Sequence, residues 1–294
     1  MPSLNPRRRR RPILQGVSLG LLVLLAGIVF YLLSARYNEE GLYNNAEQLL
    51  LQGKHQEAVQ VLEHLLDKFP YGEYRQKALM DAANTYNFYL RNVPRAIELY
   101  RTFIDNRRVS REKRLEARER LADIYNQDVG DPDRALAEYI TLRQEQQEKG
   151  AQQKSSFQIA SLYLKKNRLD MALQEFRRAA QDDAEPDLRQ KAMLKIAGIY
   201  VLQGDQVQAE PVFQEVVRSS RSEETIHQAQ LGLIDVWEST EKYEKAIELL
   251  GTMKGDPAFE EFKIAETKRL KEKAGILKNK IQLPWSSSRK RTRT

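Results

Sequence analysis

Apolar residues are distributed along this chain in two different ways. From Ile13 to Ser34 they form one block, 22 consecutive uncharged residues reading ILQGVSLGLLVLLAGIVFYLLS. Beyond residue 38 they are spaced in the period of a helix with one buried stripe. Six alanines, Ala58, Ala96, Ala135, Ala172, Ala209 and Ala246, recur at intervals of 38, 39, 37, 37 and 37. Four residues after each stands a large apolar side chain: Leu62, Tyr100, Tyr139, Phe176, Phe213 and Leu250. Three further on comes another apolar one: Leu65, Phe103, Leu142, Ala179, Val216 and Met253. Spacing of i, i+4 and i+7 keeps all three on one helical face.

Upstream of each such helix the pattern predicts a partner helix. It carries Ala46, Ala83, Ala122, Ala160, Ala197 or Ile234, with a bulkier residue three positions on: Leu49, Tyr86, Tyr125, Tyr163, Tyr200 or Trp237. Small beside large is what two closely approaching antiparallel helices need, because the alanine admits the neighbouring backbone and the ring fills the adjoining space. A two-helix unit repeated six times with this period predicts an all-α solenoid over residues 39–256. Repeats two and three hold one extra residue between their helices, near Pro94 and Pro132. An apolar stripe at Phe259, Phe262, Leu270, Ala274, Leu277 and Ile281, opposite a Lys/Glu face, predicts a last helix over 257–283 that closes the array. The segment 284–294 (PWSSSRKRTRT) reads as a disordered basic tail.

These residues resemble the tetratricopeptide repeat. Segment 39–72 follows that pattern most closely, with Gly53 in the turn between helices and Pro70 at the end. Units of 37–39 residues are longer than the family's usual repeat and resemble those of bacterial envelope members, the outer-membrane assembly lipoprotein type and the translocon-associated periplasmic type. The resemblance implies a binding role without catalysis, and a concave groove lined by each unit's first helix. The groove positions it implies here are Tyr43, Met80, Phe157, Leu194 and Leu231 at one recurrent site, interrupted by Glu119. Asn84, Phe88, Asp123, Asn126, Leu164, Val201 and Asp235 extend them. A groove of this partly apolar kind suits an extended or helical segment of another protein. Burial of the same residues between neighbouring repeats is the competing reading.

The uncharged block reaches about 33 Å as a helix, enough to cross a bilayer core. Five arginines, Arg7–Arg11, precede it and only Arg36 follows closely. This asymmetry predicts a basic cytoplasmic segment 1–12, a membrane span 13–34 and the array on the far side, as in a bacterial inner-membrane protein with a periplasmic domain. A cleaved signal peptide is the rival; its apolar core would be shorter, and Leu33-Ser34-Ala35 is a poor cleavage site. Gly16, Gly20 and Gly27 share a face, and the Gly16–Gly20 spacing is one that lets two copies of a membrane helix approach and form a homodimer.

Charge and composition narrow the functions. The net charge is +7, but taking away the nine charges at Arg7–Arg11, Arg289, Lys290, Arg291 and Arg293 leaves −2 for everything between. Bulk charge therefore gives no reason to expect nucleic-acid binding. With no cysteine there is no disulfide, no thiol nucleophile and no cysteine-borne lipid. The three histidines, His55, His64 and His227, have no metal-site spacing, and His55 and His64 read as surface residues. Carboxylates alternate with Lys and Arg along helix faces, as in Glu112–Glu119, which is the pattern of helix-supporting pairs. No cofactor is expected. The expectation is a membrane-anchored scaffold or adaptor of the cell envelope, binding segments of envelope or exported proteins; a holdase beside the protein translocon is the alternative.

Overall fold

A computed structural model describes residues 38–181 and 185–282, with 24, 25 and 27–29. Among the described residues every regular element is helical. Helices α1 (38–51) and α2 (His55–Lys68) form the first repeat. The second pairs α3 (Arg75–Phe88) with α4 (Val93–Asp105); α5 (Arg111–Ile124) and α6 (Pro132–Glu145) follow in sequence as the third. Then come α7 (Lys149–Lys165) with α8 (Leu169–Ala179), α9 (Pro186–Leu202) with α10 (Gln206–Ser219), and α11 (Glu223–Ser239) with α12 (Tyr243–Thr252). A single long helix, α13 (Pro257–Gln282), packs on α12. The chain divides into two units, Met1–Ala135 and Leu136–Thr294, and the division falls inside α6.

In each unit the packing follows the small and large positions. Ala46, Ala58, Ala83, Ala96, Ala122 and Ala135 are fully buried in the first unit, and Ala160, Ala172, Ala197, Ala209 and Ala246 in the second. Tyr100, Phe103 and Tyr125 in the first unit and Tyr139 and Phe176 in the second are essentially sealed from solvent. Each such ring contributes roughly 1.5–3 kcal/mol by leaving water.

The turn inside each repeat is built one way. In repeats one, four, five and six the bulky residue of the first helix offers its carbonyl to the amide five positions on. Lys54 N–H donates to Leu49 at 2.9 Å, Arg168 to Tyr163 at 2.9 Å, Asp205 to Tyr200 at 2.8 Å and Lys242 to Trp237 at 2.7 Å. The intervening residue, Gly53, Asn167, Gly204 or Glu241, is left-handed with φ of 73°, 54°, 77° and 58°. Its own N–H reaches back three residues, to Leu50, Leu164, Val201 and Glu238 respectively. This is the paired-bond closure that satisfies the last carbonyls of a helix. The donating residue is also the N-cap of the second helix, so one position ends one helix and starts the next.

Repeats two and three take in their extra residue at this same turn. Asn92 donates to Tyr86 at 2.9 Å and Asp131 to Tyr125 at 2.8 Å, six positions apart rather than five. In repeat three the widening is a π-helical turn over Tyr125–Val129, closed by Gly130 at φ 69°; in repeat two Arg91 takes φ 52°. Asn92, Asp131 and Asp205 also cap their helices, each side chain accepting from the N–H three residues on, at 3.3, 3.0 and 3.1 Å. Between repeats one and two, Glu39 is buried and holds the connection by accepting from Tyr74 N–H at 2.7 Å and Glu73 N–H at 3.1 Å.

The last helix continues the register. Leu270 is buried in one core with residues of α11 and α12, Ala274 is also buried, Phe259 packs partly on the same core, and Phe262 stays exposed. The predicted span at 13–34 lies outside the described residues apart from 24, 25 and 27–29, where Leu24, Leu25, Ile28 and Val29 are helical and exposed. Gly16 and Gly20 are likewise outside them, as is the tail from 283, and a Cβ placed on Gly27 meets nothing within 4 Å. Among the described residues no helix is long and apolar enough to cross a membrane.

The turn geometry makes opposite substitutions act oppositely. A Cβ on Gly204 meets no neighbour, so Gly204→Ala adds only the left-handed backbone cost and should destabilise by about 1 kcal/mol. Glu241→Gly removes that cost and should stabilise by a similar ~1 kcal/mol. Chemical denaturation of the two variants beside the parent chain reads both signs.

Candidate functional site

The groove positions are set by the stripe of each first helix that neither the second helix nor the adjoining repeat fully covers. In the first unit Tyr43 is more buried than a groove residue should be, at 9% exposure. Its hydroxyl donates to Asp81 Oδ2 at 2.8 Å, and its ring lies 5.1 Å from that of Tyr74. The Lys77 ammonium sits 5.5 Å from the Tyr43 ring and 5.3 Å from the Tyr74 ring. A pocket of about 170 Å³ remains beside these groups, reached past Met80, Lys113 and Glu116. Burial, and then the Asp81 contact, hold the Tyr43 phenol well above its ordinary value. Desolvation also pushes the Asp81 carboxyl up, against the Tyr43 hydrogen bond that favours its ionised form. The phenol is thus a fixed donor, not a nucleophile.

The remaining first-unit positions divide. Asn84 is half-buried and committed to the fold, since its Oδ1 accepts from the Tyr100 hydroxyl at 2.6 Å; burial lifts that phenol to about 12. Phe88 is 50% exposed, with the Arg120 guanidinium 5.9 Å from its ring. Asp123 and Asn126 are half-buried, Asn126 within the π-helical turn.

In the second unit the predicted residues lie on two neighbouring cores, Phe157 and Leu164 on one and Leu194, Val201 and Leu231 on the other. Phe157 and Leu164 project from α7, Leu194 and Val201 from α9, and Leu231 from α11, all half-buried and resting on the core beneath them. Phe157 meets Phe176 edge-on at 5.2 Å. Asp235, one turn beyond Leu231, is exposed. Two positions not foreseen complete the stripe. Ser161 lies between Phe157 and Leu164, its hydroxyl turned back to the Phe157 carbonyl at 2.9 Å. Gly198 lies between Leu194 and Val201, and a Cβ built there meets nothing within 4 Å. A glycine inside a helix costs about 1 kcal/mol relative to alanine, and no packing in this unit requires it. Its effect is to leave backbone open between Leu194 and Val201. The only sequence signal for it was a glycine far from any turn.

Elsewhere polar chemistry serves the scaffold. His55 is half-buried and its ring stacks on Tyr89 at 3.9 Å, so it is not the free surface residue expected. His64 is exposed, and His227 meets Phe259 edge-on at 4.7 Å. Among the described residues no group of histidine and carboxylate side chains is placed to hold a metal ion. Glu175, nearly buried, is bridged by Arg143 and Arg178. Lys242 and the Trp237 indole N–H, both donating to Glu210, keep its carboxyl below the ordinary range.

With this geometry in view, comparison with known proteins is informative about the fold. Two family models, each described as tetratricopeptide repeat, match residues 40–70 and 157–224. No curated protein matches the sequence. Among solved structures, a tetratricopeptide repeat protein from Parabacteroides merdae is 19% identical; the match covers 85% of this chain and 94% of that one with a TM-score of 0.53. YrrB, a TPR protein with an unusual peptide-binding site, is 14% identical over 64% of this chain and 90% of its own, with a TM-score of 0.47. PilW, a type IV pilus biogenesis factor, is 15% identical over 72% and 90%, with a TM-score of 0.45. At these identities the likeness is one of fold.

Two outcomes follow from the site geometry. Asp81 binds its proton more tightly in the folded chain, so ionising it costs stability, and that cost appears as pH rises through its folded pKa. Asp81→Asn, which keeps an acceptor for Tyr43, should therefore stabilise the chain at pH 7, with the gain vanishing below the ordinary carboxylate range; melting curves across pH test this. Gly198→Ala should stabilise by about 1 kcal/mol in the same assay, since its methyl enters open space.

Proposed function

We propose that this tetratricopeptide-repeat chain is a membrane-anchored interaction scaffold of the cell envelope, holding a segment of another protein against the first helices of its repeats. The observation that carries this is two half-open apolar pairs of the second unit, Phe157 and Leu164 on α7 and Leu194 and Val201 on α9, each interrupted by a small residue, Ser161 or Gly198. Apolar side chains left half-open beside a bare stretch of backbone suit a segment that seats its own apolar residues against them. The reading assigns no catalysis. Buried or partly buried polar contacts hold a phenol as a donor, as at Tyr43, or lock helices together, as at Glu175 and Glu210.

The anchor belongs to the same proposal. Arg7–Arg11 ahead of the uncharged block place the N-terminus in the cytoplasm and the repeats on the far side of a bacterial inner membrane. Partners would then be envelope or exported proteins.

Gly198→Arg tests the groove without threatening the fold, because arginine is a good helix former and its first atoms meet no neighbour. In-cell crosslinking of the full chain, followed by mass spectrometry, should recover one or two dominant partners that Gly198→Arg removes while circular dichroism stays unchanged. Partners retained in full by Gly198→Arg would overturn the groove reading. A broad set of exported chains with translocon subunits would replace the dedicated scaffold with a holdase.

A further inference from the structure

The turn between α4 and α5 differs in charge from the others that join one repeat to the next. It carries Arg107 and Arg108, whereas no other such turn holds more than one basic residue. Residues 105–114 hold five basic side chains against the carboxylates of Asp105 and Glu112. The backbone here is tightly held. Asn106 Oδ1 accepts from Arg108 N–H at 3.0 Å, and the Asn106 carbonyl accepts from Val109 N–H at 3.0 Å. Gln76 Nε2 of α3 donates to the Arg108 carbonyl at 3.2 Å, and Arg114 Nη1 of α5 to the Val109 carbonyl at 2.6 Å. With the turn fixed on both helices, the side chains of Arg107 and Arg108 stand exposed.

Beside this turn lies the connection between repeats one and two. Tyr71 is 81% exposed there, and the Arg108 guanidinium lies 5.5 Å from its ring. A cavity of about 480 Å³ between the two turns is walled by Tyr71, Arg75, Thr102, Asp105 and Arg108. Arg75 donates to the Leu66 carbonyl at 2.8 Å, which fixes its guanidinium at the wall. The same connection receives the start of the array. Glu39 of α1 is bonded to the Glu73 and Tyr74 amides, and a Cβ on Gly72 would collide with its carboxylate. Helix α1 therefore begins at the edge of the first unit that carries Tyr71 and Arg108. The uncharged block ends at Ser34, five residues before Glu39. Five residues reach at most about 18 Å.

We propose that this edge of the first unit rests on the anionic headgroups of the bilayer that holds the anchor, with Arg107 and Arg108 facing lipid phosphates and Tyr71 entering the headgroup layer. The inference rests on the anchor reading above. Tether and charge agree on this occupant. The short tether keeps the edge close to the bilayer surface, where ionic attraction acts over about 10 Å. Basic residues beside a span are drawn to anionic lipid, and a tyrosine suits the interface because its ring is apolar and its hydroxyl wet. An acidic protein segment would meet the same arginines, but it would have to enter the narrow layer between this edge and the bilayer. The contact decides which side of the first unit the membrane covers, and so from which side a partner can approach it.

The chain has no cysteine, so Thr102→Cys, exposed at the cavity wall, supplies a single labelling position. The full-length chain carrying the fluorophore NBD there is reconstituted into phosphatidylcholine vesicles with or without phosphatidylglycerol. After a carbonate wash, quenching by phosphatidylcholine spin-labelled at its headgroup is read. Quenching should require phosphatidylglycerol and fall as salt rises. Arg107→Glu with Arg108→Glu should weaken it at least about threefold. Lys268→Glu with Lys271→Glu, an equal charge change on exposed residues of α13, should leave it intact. An unchanged circular dichroism spectrum confirms the fold of each variant. A chain that survives the wash but is unquenched, or is quenched equally without phosphatidylglycerol, would overturn the inference and leave the anchor standing. Release by carbonate would overturn the anchor and this inference with it. Equal loss in the two double variants would replace the local contact with bulk charge. In-cell crosslinks from the labelled position to an acidic protein, with no lipid quenching, would make the edge a protein contact instead.

Discussion

The close approach of paired helices over alanine is the constraint on which the rest depends. In each unit the alanines of first and second helices have no exposed surface, and a larger side chain there would overpack the contact, typically at 1–3 kcal/mol. The bulky residue three positions beyond the first-helix alanine does two jobs. Its ring or branched chain fills the space the alanine leaves, and its carbonyl receives the amide that closes the turn. Helix spacing and helix phase are therefore set by the same few atoms, and the groove stripe is whatever this arrangement leaves uncovered.

That origin explains why the candidate site is a matter of shape more than of reactive groups. Side chains on the uncovered stripe rest on the core below and can offer an incoming segment only their outer halves, as Leu194, Val201 and Leu231 do. Charged residues are spent on fastening helices, as where Arg143 and Arg178 converge on Glu175, or Arg269 and Lys273 on Glu238.

The fold was legible because its signal is additive: six weak alanine–aromatic matches in one register become unmistakable together. The turns were less so. Gly53, Gly130 and Gly204 announce left-handed backbone, but nothing about Arg91 or Glu241 does so; their conformation is imposed by the carbonyl their successors must reach. Repeats two and three have six positions in place of five at this turn. One added residue shifts the second helix against the first and blurs a pattern of fixed spacing. At the site, the second-unit positions followed from the resemblance to the repeat family, whose first helices line a groove. The burial of Tyr43 follows the competing reading: Tyr74 and Lys77, which cover it, come from the next helix and the connection leading to it. Gly198 was overlooked because a glycine within a helix looks like noise until the space around it is known.

The turn closures have a kinetic side. Every bond that joins the two helices of a repeat at its turn spans three to six positions in sequence. Closing so short a loop sacrifices little chain entropy, and contacts this local are the kind that form fastest. Folding can therefore begin in any repeat and spread to its neighbours. A chain emerging from a ribosome or a narrow channel could complete each helix pair as it appears, with no need to wait for its far end.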